Sequence, residues 1–217
     1  DAPEVEKVEA TAKDKLVVTF TQRLLEGNNI NKEAFDVKVD GKSATIGSIS
    51  VSRVDGKTVV TLNLKDVEIN ANADNVKLTI VNDGGEYLKN LFGVPVADDD
   101  FGGTIKDKIA PSIVVNKDKK LDITAKNEDG KGVIQITFDE NIKNSTTVRD
   151  FEVSGYTVEN VTANGKVVTI TLDKEIKGSS VKLTQKFPVK DIPGNEFKLD
   201  KTETITVTNP VTDPGED

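Results

Sequence analysis

The sequence predicts an all-β chain built as two tandem sandwich domains. Three observations carry that expectation. Short runs alternate apolar and polar residues at period 2, the mark of strands with one buried face. Gly-, Asn- and Asp-rich turns separate the runs about every 8–12 residues, as in two-layer β folds. The same order of runs is written twice along the 217 residues.

In the first half, Asp1-Ala2-Pro3 leads into a strand from Val5 to Ala10, and Asp14-Lys15 turns into Leu16 to Phe20. A polar loop through Gly27, Asn28 and Asn29 follows. Asn31 is a candidate cap for one helical turn before Phe35 and Val37 to Val39. Asp40-Gly41 and Asp55-Gly56 lie between alternating runs and read as hairpin turns, because Asp and Gly tolerate the left-handed backbone such turns need. They bracket strands at Ile46 to Val54 and Thr58 to Leu64. After a polar loop, Asn70 to Asn75, comes Val76 to Val81. Leu88 to Val96 carries Asn90, Gly93 and Pro95 and reads as an irregular edge. Ala97 to Gly103, with Asp98-Asp99-Asp100, closes this half.

The second half repeats the order. Ile136-Thr137-Phe138 matches Val18-Thr19-Phe20, and Phe151-Glu152-Val153 matches Phe35-Asp36-Val37. Gly165-Lys166-Val167-Val168-Thr169 matches Gly56-Lys57-Thr58-Val59-Val60. Val181-Lys182-Leu183-Thr184 matches Val76-Lys77-Leu78-Thr79. Val189-Lys190-Asp191-Ile192-Pro193-Gly194 falls where Leu88-Lys89-Asn90-Leu91-Phe92-Gly93 fell. The period is roughly 105 to 110 residues, far beyond a solenoid repeat, so each copy is expected to hold its own core. Expected domains are residues 1–107 and 108–209, with linkers at Thr104 to Ala110 and Thr208 to Pro214. Residues 210–217 are expected to lead to a following domain. Each copy has the strand count of an immunoglobulin-like β-sandwich, without the Cys–Trp–Cys pattern of antibody domains.

Composition excludes much. There is no Cys, His, Met or Trp. Zinc fingers, Cys nucleophiles, Ser-His-Asp triads and the usual haem or iron–sulfur ligation are therefore out. Without Met, Asp1 is not a natural start, so the sequence reads as a mature or excised piece. The formal charge is −8, with 29 basic and 37 acidic residues and no basic block. Nucleic acid is a disfavoured partner, since phosphate binding needs a clustered positive field. No apolar run is long enough for membrane insertion. Phe20, Phe35, Phe138 and Phe151 fall at strand positions expected in the core.

The strand ending in Thr-Phe, the Phe-x-Val strand, the Gly-Lys-x-Val-Thr hairpin, Val-Lys-Leu-Thr and above all Val189-Lys190-Asp191-Ile192-Pro193-Gly194-Asn195 resemble the bacterial Ig-like repeats of surface proteins. The Lys-, Thr- and Val-rich, Cys-free composition looks most like the assembly region of Bacillus-type S-layer proteins. The second copy has the Thr137-Phe138-Asp139-Glu140 ending of these repeats, whereas the first has Thr21-Gln22 in place of the acids. The resemblance implies a non-enzymatic structural component, extracellular and in the cell wall. It implies copies of the chain and neighbouring domains of the same chain as partners in a two-dimensional lattice, with calcium ordering the domain row. The alternative is an accessory or adhesive module of a larger secreted protein acting on cell wall or polysaccharide. An exposed aromatic row would favour that alternative, and the sequence has none.

The candidate metal residues are Asp98, Asp99, Asp100 and Asp107, the densest acidic cluster and its neighbour at the expected junction. Calcium wants several carboxylate and carbonyl oxygens, and adjacent carboxylates repel without a cation. A solvated acidic loop is the other reading of the same cluster. Asp139 and Glu140 are adjacent on a strand and so point to opposite faces, which argues against a general acid/base pair. A second calcium site or edge protection suits them better. Asp191 with Asn195 reads as a turn held by side-chain-to-backbone bonds.

Overall fold

The structure is a computed structural model that describes residues 1–101 and 103–211, with only the backbone of Asp83, Asp99 and Asp100. The chain divides into two compact units, Asp1–Ile109 and Ala110–Asp217. Each is an Ig-like sandwich, as the sequence predicts.

Unit 1 contains β1 (Val5–Ala12), β2 (Lys15–Phe20), β3 (Phe35–Val39), β4 (Lys42–Ser43), β5 (Thr45–Val54), β6 (Lys57–Lys65), β7 (Val76–Ile80), β8 (Asp99–Asp100) and β9 (Lys106–Asp107). One sheet runs β5-β6-β2-β1-β9 and the other β4-β3-β7-β8. Their inner faces meet in one core. Val8, Leu16, Val18, Phe20, Val60 and Leu62 come from the first sheet, and Val37, Val76, Leu78 and Ile80 from the second. The alternation is strictest in β6, where Thr58, Val60, Leu62 and Leu64 point inward. Thr58 can do so because its hydroxyl accepts the Leu24 N–H at 2.8 Å, which satisfies a buried polar group.

Unit 2 contains β10 (Ile123–Glu128), β11 (Lys131–Thr137), β12 (Phe151–Val153), β13 (Val158–Asn164), β14 (Val167–Leu172), β15 (Ser180–Gln185), β16 (Val189–Lys190), β17 (Glu196–Phe197) and β18 (Glu203–Thr206). Its sheets run β10-β11-β14-β13 and β12-β15-β18, with β16-β17 as a separate hairpin. Ile134, Ile136 and Phe138 line its core, and the Phe138 ring meets Phe197 edge-on at 5.5 Å.

The register shows where the copies differ in length. Val5 pairs with Phe20 in unit 1, and Ile113 pairs with Phe138 in unit 2. Between those anchors unit 2 inserts an excursion closed by the Val115–Leu121 bridge. Both copies keep a bulge at the same place, between Ile46 and Ser48 in β5 and between Val158 and Asn160 in β13. The hairpin turns at Asp40-Gly41 and Asp55-Gly56 have both residues at positive φ, and so does Asp129-Gly130, which joins β10 to β11. That is the type I′ geometry these pairs encode.

The expected linker at Thr104 to Ala110 is part of the fold. Lys106–Asp107 forms β9, parallel to β1, and the Lys108 N–H donates to the Ala10 carbonyl. The second expected linker starts the same way: Val207 bridges Ala125 in parallel, and the Thr208 N–H donates to Ala125. Most of the expected tail, residues 212–217, lies outside the described residues.

Candidate functional site

Of the four sequence-predicted metal residues, the structure describes the side chains of two, Asp98 and Asp107. Asp98 is exposed, just before β8, and its carboxylate accepts the Asn82 N–H beyond the end of β7. Asp107 lies on β9 beside Ala10, in the other sheet, where its Oδ1 accepts the Ile109 N–H at 2.8 Å. The side chains of Asp99 and Asp100 lie outside the described residues.

A different acidic pair is brought together in unit 2. Glu140 follows the central strand β11, and Asp191 follows β16. Ile142 bridges Asp191, which draws the two segments side by side. One carboxylate oxygen of Glu140 and one of Asp191 lie within 4.8 Å of each other. Both residues are buried, Glu140 at 6% exposure and Asp191 at 0%. Asp191 is fixed in place. Its Oδ1 accepts the Gly194 and Asn195 N–H groups at 2.6 Å each, and its Oδ2 accepts the Asn195 side-chain amide at 2.7 Å. Gly194 sits at φ +104, a conformation open to glycine, and this lets the turn fold back on the carboxylate. Asp139, on the opposite face, is used differently: both its oxygens hold Ser112, accepting its N–H at 2.8 Å and its hydroxyl at 2.7 Å. Asp139 therefore ties the leading segment of unit 2 to the sheet.

Unit 1 carries the same constellation with the charge removed. Leu24 bridges Asn90 as Ile142 bridges Asp191, so Gln22 stands in the place of Glu140. The Asn90 side-chain amide donates to the Gln22 Oε1 at 3.1 Å. The Gln22 amide in turn donates to the carbonyls of Asp1 and Ala2 at 3.1 and 3.2 Å. Asn90 Oδ1 accepts the Phe92 and Val94 N–H groups, the counterpart of the Asp191 turn. Two amides can donate to and accept from one another, but two carboxylates only accept. The buried pair in unit 2 is therefore made of acceptors alone, whereas its twin in unit 1 is closed by its own amide hydrogen bonds. The alignment of the two copies already sets Gln22 against Glu140 and Asn90 against Asp191. What it lacks is the pairing of Ile142 with Asp191, which makes neighbours of residues far apart in sequence.

These two units define a class: tandem Ig-like sandwiches that share a hydrogen-bonded end cluster, charged in only one of them. Residues 6–108 match the family model described as outer cell wall protein domain 7. The chain is 32% identical over 173 residues to the outer cell wall protein of Brevibacillus brevis. That match takes in 78% of this chain and 16% of the relative, so the chain spans about a sixth of the protein it resembles. Among solved structures, the S-layer protein SbsC is similar over 96% of this chain and 41% of its own, at 14% identity and a TM-score of 0.38. A tandem of titin Ig domains is similar over 98% of both chains, at 10% identity and a TM-score of 0.28. The family model and the curated relative both point to an outer cell wall protein. No helix among the described residues is long and apolar enough to cross a membrane.

Proposed function

We propose that this chain is a non-enzymatic segment of a self-assembling cell-surface lattice, in which its Ig-like units meet other copies of the chain. The observation that supports this most is the match of unit 1 to an outer cell wall protein domain, next to a second sandwich built on the same plan. We further assign a calcium ion to the Glu140–Asp191 pair. Calcium takes hard oxygen donors, and a buried pair of carboxylates within 4.8 Å presents them already dehydrated. Asp98 is a weaker candidate, since it is exposed. Electron microscopy of the purified protein in calcium and in chelator tests the lattice reading. Ordered two-dimensional sheets that need calcium are the expected result. Dispersed particles under both conditions, over a wide concentration range, count against it.

A further inference from the structure

We infer that Asn164, at the tip of the β13–β14 hairpin in unit 2, is a site of spontaneous covalent modification, in which its side-chain amide is lost to attack by the Gly165 backbone nitrogen. Asn164 is the only asparagine in the 217 residues that a glycine follows. Glycine matters here because it has no Cβ to crowd the attacking nitrogen. Even a Cβ built at Gly165 would meet only the Asn141 Oδ1, at 3.7 Å, so the surroundings are open as well. Asn164 pairs with Val167, which leaves Gly165 and Lys166 as the two loop residues. Gly165, at φ +58, is the first central residue of a type II′ turn. Asn164 is exposed, and among the described residues neither its side-chain amide nor the Gly165 N–H has a hydrogen-bond partner. The turn is anchored through its carbonyls instead: Gly165 accepts the Ile142 N–H at 2.9 Å, and Lys166 accepts the Phe138 N–H at 2.8 Å. The attacking nitrogen is thus left to solvent on a turn that is held in place, and positioning of this kind is what favours an intramolecular step.

Solvent base takes the Gly165 amide proton, and the nitrogen bonds to the Asn164 Cγ as the Cγ–Nδ2 bond breaks and ammonia leaves. Water then opens the resulting succinimide at one carbonyl or the other. One product is an aspartyl residue. The other is an isoaspartyl residue, whose main chain runs through the former side chain and is one carbon longer. Either product adds a negative charge to the tip of the hairpin, which changes the local electrostatics as any charged modification does. Unit 1 shows which product the shared framework accepts. Asp55-Gly56 stands at the matched turn, so an acid already occupies the place of Asn164 there. The isoaspartyl form has no such counterpart. It lengthens the chain beside the Gly165 carbonyl that holds Ile142, the residue that bridges Asp191. Other asparagines are placed differently. The amides of Asn82, Asn90 and Asn127 donate to the Val96 carbonyl, the Gln22 Oε1 and the Ile176 carbonyl, and each of the three precedes a residue larger than glycine.

The test is to keep the whole folded chain in mildly alkaline buffer for weeks and to follow every asparagine by peptide mapping and mass spectrometry. Asn164 should gain one mass unit several-fold faster than any other asparagine. Its peptide should split into an aspartyl and an isoaspartyl form, and only the second should accept a methyl group from an isoaspartyl methyltransferase. The rate should rise with pH, because the attacking nitrogen must lose its proton. Asn164→Gln should abolish the gain, since the longer side chain has to close a larger ring. Hydrogen exchange should find the Ile142 amide less protected in the isoaspartyl fraction and unchanged in Asn164→Asp. The inference is overturned if Asn164 stays intact over the time in which a free peptide of residues 158–170 is converted, if another asparagine is converted first, or if the gain survives in Asn164→Gln. Equal protection of Ile142 in both forms would overturn the link from the turn to the Ile142 segment.

Discussion

Replacing Glu140 by Gln gives unit 2 the residue that unit 1 carries at Gln22. The structure sets the size of the effect. Two carboxylate charges at 4.8 Å, the upper bound of their separation, repel by about 3.5 kcal/mol at an effective dielectric near 20. Removing one of them keeps the shape of the side chain, and the new amide has Asp191 to donate to, as Asn90 and Gln22 bond one another in unit 1. In chelator, unit 2 of the variant should thus be more stable than the parent by up to about 3 kcal/mol. Calcium at a hundredfold excess over its Kd should raise the parent by about 2.7 kcal/mol and leave the variant in place. For a domain of this size that corresponds to a parent melting shift of roughly 10–20 °C. Calorimetry of parent and variant in calcium and in chelator gives all four values. The reasoning fails if Glu140→Gln is less stable than the parent in chelator, or if calcium raises both equally. Either result would mean that the pair is neutralised without an ion.

The other expectations concern the core, the boundary and one exposed loop. Phe138→Ala should cost unit 2 about 3–5 kcal/mol in denaturant unfolding, and Phe20→Ala should cost unit 1 a similar amount, because both rings are buried. A loss under about 1 kcal/mol for both would contradict the packing described. Residues 1–109 and 110–211 expressed apart should each give a dispersed NMR spectrum, and an unfolded spectrum for either would show that the units depend on one another. Asp74 should titrate below the ordinary carboxylate range, chiefly because of the Asn70 amide and then the Asn72 amide. Its folded pKa is depressed, so the support it gives the Asn70–Asn75 loop is present above the unfolded pKa and lost as pH falls through the folded one. In Asn70→Ala/Asn72→Ala its NMR titration midpoint should move back up, and an unmoved midpoint would show that the two amides do not lower it.

The fold is legible in the sequence because its determinants are local. Period-2 runs such as Thr58 to Leu64, and Asp-Gly pairs that accept positive φ, specify strands and hairpins without reference to distant residues. The linkers mislead for the converse reason. Lys106–Asp107 has no apolar alternation, and it is a strand only because β1 offers an edge that pairs in parallel with it. The acidic site shows the same limit. Asp98-Asp99-Asp100 stands out along the sequence because its three carboxylates are adjacent. Glu140 and Asp191 are each marked in the sequence, one beside Asp139 and the other in its turn with Asn195, but their pairing comes from the Ile142–Asp191 bridge. The duplication is what makes such a pair interpretable. With two copies of one framework, a difference at matched positions isolates what each copy adds to the shared fold. Gln22 and Asn90 show that the end cluster of unit 1 closes without charge, so charge is not a requirement of the shared framework.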